Sequence, residues 1–86
     1  MISKEDIIGM CDLDLEEVDA IAEHEHIPEV VAAALGDYLL HQIHGAERVR
    51  DMIVDDIRAA MDRRDPSHAS SLCMALQHFL TAHPCA

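Results

Sequence analysis

Residues 46–63 read Ala46-Glu47-Arg48-Val49-Arg50-Asp51-Met52-Ile53-Val54-Asp55-Asp56-Ile57-Arg58-Ala59-Ala60-Met61-Asp62-Arg63. Val49, Met52, Ile53, Ile57 and Ala60 recur at helical spacing and share one face, while charged residues fill the opposite side. The stretch is predicted to be one long amphipathic helix, with Arg63 and Arg64 suiting its C-terminal dipole. Asp65-Pro66 then reads as an N-cap followed by proline at the first helical position. The helix it opens is expected to bury Ala69, Leu72, Cys73, Leu76, Phe79 and Leu80 before Pro84 stops it.

Upstream, His44-Gly45 is expected to end a helix opened by Pro28 and Glu29, with Val31, Ala34, Leu35, Tyr38, Leu39 and Gln42 as its buried stripe. Gly36 within it costs about 1 kcal/mol relative to alanine, which points to a close helix contact there. Asp14 and Glu17 form a capping box for an earlier helix with Leu15, Val18, Ile21 and Ala22 on one face. That helix should run out near His24 to His26, because Pro28 biases Ile27 away from helical angles. Ser3 and Asp6 resemble another box, opening a short helix closed by Gly9 or Met10. No stretch alternates with period two, and Tyr38 and Phe79 are the only aromatic residues. The expected fold is all-α: a compact bundle of four main helices plus a short N-terminal helix, one domain over residues 1–86, with neighbouring helices roughly antiparallel.

For 86 residues, the scaling of surface with mass predicts that about 63% of the unfolded surface is buried, enough for a thin core. The net charge of −11 excludes ordinary phosphate-backbone binding and a polybasic membrane patch. The longest apolar run, Val30 to Leu35, falls far short of the about 20 residues that span a bilayer. Met1 to Asp6 contains neither a charged n-region nor an apolar h-region, so no signal peptide is expected. Cys11, Cys73 and Cys85 are odd in number and lack zinc-knuckle spacing, which fits a reduced, cytoplasmic protein with Cys73 in the core. Protonating all seven histidines would bring the charge from −11 to −4, mostly between pH 8 and 5, so composition alone carries a pH response.

Two groups of residues break the helical pattern. Asp56 falls inside the apolar arc of residues 46–63, Glu25 lies on the apolar side of its helix, and His83 projects among Leu72, Leu76 and Phe79. If Glu25, Asp56 and His83 converge, they form a buried acid–histidine cluster with shifted pKa values. On a polar face, Asp37, His41 and His44 are spaced i, i+4, i+7, and a carboxylate with imidazoles at that spacing can chelate Zn²⁺ or another divalent transition metal. His24-Glu25-His26 stands near in sequence as a further source of ligands. The paired Glu-x-x-His motifs of di-iron bundles and the His-Glu-x-x-His of zinc proteases are absent. Glu47, Asp51, Asp55 and Asp62, relieved by Arg58, form an acidic stripe suited to solubility or to a basic partner.

No glycine-rich phosphate loop, nucleophile elbow or recognisable Cys–His motif occurs. Nor does the chain contain Asp-Ser-Leu, where small acidic four-helix carrier proteins attach their prosthetic group. The expected function is therefore a protein–protein interaction or regulatory module without catalytic activity or cofactor, binding another protein or itself as a homodimer. The alternative is a metal-binding or pH-responsive bundle using the His and carboxylate groups above.

Overall fold

A computed structural model describes residues 13–84, which form four α-helices: α1 (Leu15–Glu25), α2 (Glu29–Leu40), α3 (Gly45–Asp62) and α4 (Pro66–Ala82). They pack as a compact all-helical bundle, without strands among the described residues. The expected short helix from Ser3 to Met10 lies outside the described residues. α1 and α3 each touch all three other helices, whereas α2 packs chiefly on α1 and α3. Among the described residues, no helix is long and apolar enough to cross a membrane.

Local chemistry sets the ends. The backbone N–H of Asp14 donates to Glu17 Oε1 at 3.0 Å, one arm of the expected capping box. α1 closes at His26, whose left-handed backbone (φ 57°) turns the chain toward Pro28. Pro28 is the N-cap of α2 and accepts from Ala32 N–H at 2.9 Å, so the helix begins at Glu29. Asp65 caps α4 by accepting from His68 N–H at 3.2 Å, with Pro66 in the first turn as expected. Replacing it, Asp65→Ala, should cost about 1 kcal/mol, read as a lower urea midpoint with an unchanged slope.

α2 ends earlier than its sequence suggested. Two i→i+3 bonds, His41 N–H to Tyr38 O at 3.2 Å and Gln42 N–H to Leu39 O at 2.9 Å, tighten its last turn. Gly45 is not a stop signal but the first residue of α3. Its α-carbon lies so close to the turn that an added β-carbon would fall 1.5 Å from the carbonyl oxygen of Leu39. The chain reverses there over His41 to His44.

The core joins Leu13 to Val18 and Ile21 of α1, Ala32, Ala33 and Leu39 of α2, Val49, Met52, Ile53 and Ala60 of α3, and Ala69, Leu72 and Phe79 of α4. The expected faces of α1, α3 and α4 largely match it. Cys73 is a correction: it is exposed, because α4 buries the narrower stripe Ala69, Leu72, Ala75 and Phe79.

The larger correction concerns α2. Its buried side is Ala32, Ala33, Gly36 and Leu39, while Val31, Ala34, Tyr38 and Gln42 face outward. The small side chains explain this choice, because they let the α2 backbone approach α1 closely. The place a β-carbon would take at Gly36 is filled by Leu13 Cδ1, with Ile21 Cδ1 3.0 Å away. The close contact expected at Gly36 is therefore present.

Candidate functional site

Two features stand out among the described residues: a carboxylate–imidazole cluster around one buried acid, and an uncovered apolar helix face.

The cluster is built on Asp56, which α3 carries on its buried face at 4% exposure. One of its oxygens, Oδ2, is buried without a hydrogen-bond partner, and so is Glu23 Oε2 on α1. The other Glu23 oxygen meets His68 Nε2 of α4 at 2.5 Å. His24, next to Glu23, places Nε2 3.2 Å from Asp55 Oδ2 on α3 and Nδ1 2.6 Å from Glu25 Oε2. Imidazole–carboxylate contacts thus link α1 to both α3 and α4 around a buried acid.

Burial, reinforced by the negative charge of Glu23, pushes the Asp56 carboxyl up to about 7; His24 opposes the shift and Asp55 adds to it. For His24, burial alone would lower the pKa, but its contacts with Glu25 and Asp55 outweigh that and raise it. Burial also raises Glu17, partly offset by the Asp14 N–H it accepts. The chemistry available here is proton uptake near neutral pH.

Glu25, Asp56 and His83 are distributed unevenly over this arrangement. Glu25 is exposed at the end of α1 and reaches the cluster through His24. His83 lies fifteen residues beyond His68, about 22 Å along the α4 direction, where its ring packs 4.9 Å from that of Phe79. It belongs to the opposite end of the helix and influences Glu17 instead. Glu23 and His68 occupy the places that Glu25 and His83 were expected to fill. Sequence spacing within one helix cannot register residues across three, which is why this pair was missed.

The Asp37, His41 and His44 strip does not form, because α2 ends at Leu40 and helical register is lost before His44. His41 Nδ1 lies 2.7 Å from the backbone oxygen of Asp37, not its carboxylate. His44, in the left-handed region (φ 61°), turns its Nδ1 toward Glu47 Oε1 at 3.3 Å. Among the described residues, no group of three or more His, Cys, Asp or Glu is arranged to hold a metal ion.

A surface groove of about 370 Å³ between α1 and α4 is lined by Asp14, Glu17, Ser71, Met74 and His78. It contains an acid, a histidine and a serine, with His78 Nδ1 3.7 Å from Asp14 Oδ2. The serine is turned away, because Ser71 Oγ donates to Ser67 O at 3.3 Å. It also lies seven residues from His78, about 10 Å along the helix axis. The hydrogen bond between nucleophile and base that acyl transfer requires is not made.

The second feature is the outward side of α2. Val30 (45% exposed), Val31 (49%) and Tyr38 (62%) share it with exposed Ala34 and half-buried Leu35. These positions follow helical spacing and form one continuous apolar face. α2 is thus apolar on both sides, a pattern that fits a helix covered on both sides. Comparison with protein-family models, curated proteins and solved structures finds no match.

Charge sets this face in context. Residues 5–47 of the sequence contain twelve Asp and Glu and no Lys or Arg, whereas residues 48–86 contain five acidic residues and five arginines. The negative charge of the whole chain therefore belongs to the half that carries α1 and α2. This charge asymmetry and the largely apolar run of residues 30–40 are both legible in the sequence.

Proposed function

We propose that this chain is a non-catalytic protein–protein interaction module that docks a partner on the outward face of α2. The observation that carries the reading is the continuous apolar face of Val30, Val31, Ala34 and Tyr38 on a helix whose other side is already packed. Such a face exposed to water favours burial by about 25 cal/mol for each Å² covered. Arrangement of the groove residues lends no support to catalysis. A reduced, cytoplasmic setting forms part of the proposal, on the odd number and the spacing of the cysteines.

The pH-responsive half of the alternative reading has support of its own in Asp56, Glu23 and His24. It is compatible with docking, because the cluster ties α1, which packs under α2, to α3 and α4.

A photo-crosslinking residue placed at position 38, and separately at exposed position 70 on α4, tests the docking face in the native host. The expected adduct forms from position 38 and not from 70. Its partner, once purified, should bind the wild type and bind the Val31→Asp/Tyr38→Asp variant about tenfold or more weakly. Because both positions are exposed, that variant should melt within a few degrees of the wild type. Equal adducts from both positions, or equal binding by the variant, would contradict the reading.

A further inference from the structure

We infer that the seam between the α1–α2 hairpin and the α3–α4 hairpin is a proton-operated latch, held shut near pH 5.5 and loosened near pH 8. The inference concerns the interior of the fold and does not rest on the docking role proposed above.

The packing divides the chain into two hairpins. α3 packs most extensively on α4, and α2 on α1, where Ile21 lies against Gly36. Short turns, His26 to Pro28 and Arg63 to Asp65, join the members of each pair. Across the seam, α1 meets α4 less than it meets α2 or α3. Ala20 of α1 and Ala75 of α4 line one groove there, and side chains this small contribute little apolar burial. Polar contacts therefore carry a larger share of the attraction between α1 and α4.

Those contacts share one chemistry. His24 Nε2 lies 3.2 Å from Asp55 Oδ2, His68 Nε2 2.5 Å from Glu23 Oε1, and His78 Nδ1 3.7 Å from Asp14 Oδ2. Each pair joins one hairpin to the other, and in each the cation is a histidine. Arginine or lysine would hold its charge throughout the neutral range, whereas imidazole loses it between about pH 5 and 8.

Asp56 lies on the same seam at 4% exposure, with Oδ2 buried and unpartnered like Glu23 Oε2. Burial first, and then the charge of Glu23, raise its carboxyl to about 7, with His24 and His68 opposing and Asp55 adding. α2, which also packs on α3, carries Glu29 and Asp37 as its charged residues.

These groups act in one direction. As pH falls toward 5.5 the imidazoles gain charge beside ionised carboxylates and Asp56 becomes neutral, so the seam is drawn together. As pH rises to 8 the pairs lose their cations and ionised Asp56 stands near Glu23, so the seam is weakened. The contact of Gly36 with Ile21 in one hairpin involves none of these groups and is indifferent to the same change.

Pulsed hydrogen–deuterium exchange of the full chain, resolved helix by helix with mass spectrometry and corrected for intrinsic exchange rates, reads the latch. Between pH 5.5 and pH 8 the protection of α1 and α2 should fall about tenfold more than that of α3 and α4. Asp56→Asn removes the buried charge with little change of shape and should shrink this difference several-fold. Adding His24→Gln, His68→Gln and His78→Gln should abolish it.

An equal fall in all four helices would place the effect on global stability and overturn the latch. Protection that does not change with pH would overturn it too, as would a difference that survives all four substitutions. Should the fourfold variant not fold, Asp56→Asn alone decides, and an undiminished difference in it would overturn the inference.

Discussion

Asp56→Asn is expected to stabilise the protein at pH 8, by on the order of 2 kcal/mol or about 10 °C in melting temperature, and to change little at pH 5. The folded pKa of Asp56 is raised from 3.8 to about 7. Its stabilising contribution is therefore fully present below the unfolded value and is lost as pH rises through about 7. At pH 8 the folded protein holds an ionised carboxylate at 4% exposure, with Oδ2 unpartnered and Glu23 nearby. Asparagine keeps the shape and removes the charge. Its own buried amide needs partners, which holds the gain below the full value of the pKa shift. His24 and Glu17 are also raised, so their contributions have the same sign and fade as pH rises. The wild type should consequently melt higher at pH 5.5 than at pH 8, the reverse of ordinary acid destabilisation. A melting temperature that falls over that interval, or an Asp56→Asn variant indistinguishable from wild type at pH 8, would refute this description of the cluster.

The second large effect is expected at a glycine. Gly45→Ala should cost about 3 kcal/mol, because its β-carbon would fall 1.5 Å from the backbone oxygen of Leu39 and no side-chain rotation relieves that overlap. Gly36→Ala is the matched control. There the obstructing atoms are the ends of the Leu13 and Ile21 side chains, which can shift, and alanine returns about 1 kcal/mol of helix propensity. Urea midpoints should drop sharply for the first and stay near wild type for the second. Similar losses in both would show that the turn between α2 and α3 is not built on the Leu39 contact.

These residues also show how far the sequence could be read. The long α3 pattern and the Asp65-Pro66 start gave the correct elements because cap and proline geometry are local. Asp56 was legible for the same reason: a carboxylate among Val49, Met52 and Ala60 stands out within a single helix. Its neighbours were not, since Glu23 and His68 meet only after α1 and α4 pack. α2 misled in another way. With apolar residues on nearly every side, its periodicity cannot choose a buried face; the choice is made by Gly36, Ala32 and Ala33, whose small size lets α1 approach. The larger Val31 and Tyr38 were therefore left outside. His44 leaves the helical strip because Gly45 starts a helix instead of ending one, breaking the register with Asp37 and His41.

Assignment of the docking surface to α2 is tested most directly by a nitrogen-15 NMR titration of the full chain with the partner recovered by the crosslink from position 38. Amide shifts should concentrate at Val30, Val31, Ala34, Leu35 and Tyr38. Shifts centred on the α1–α4 groove near Met74 and His78, or spread evenly over the surface, would contradict that assignment.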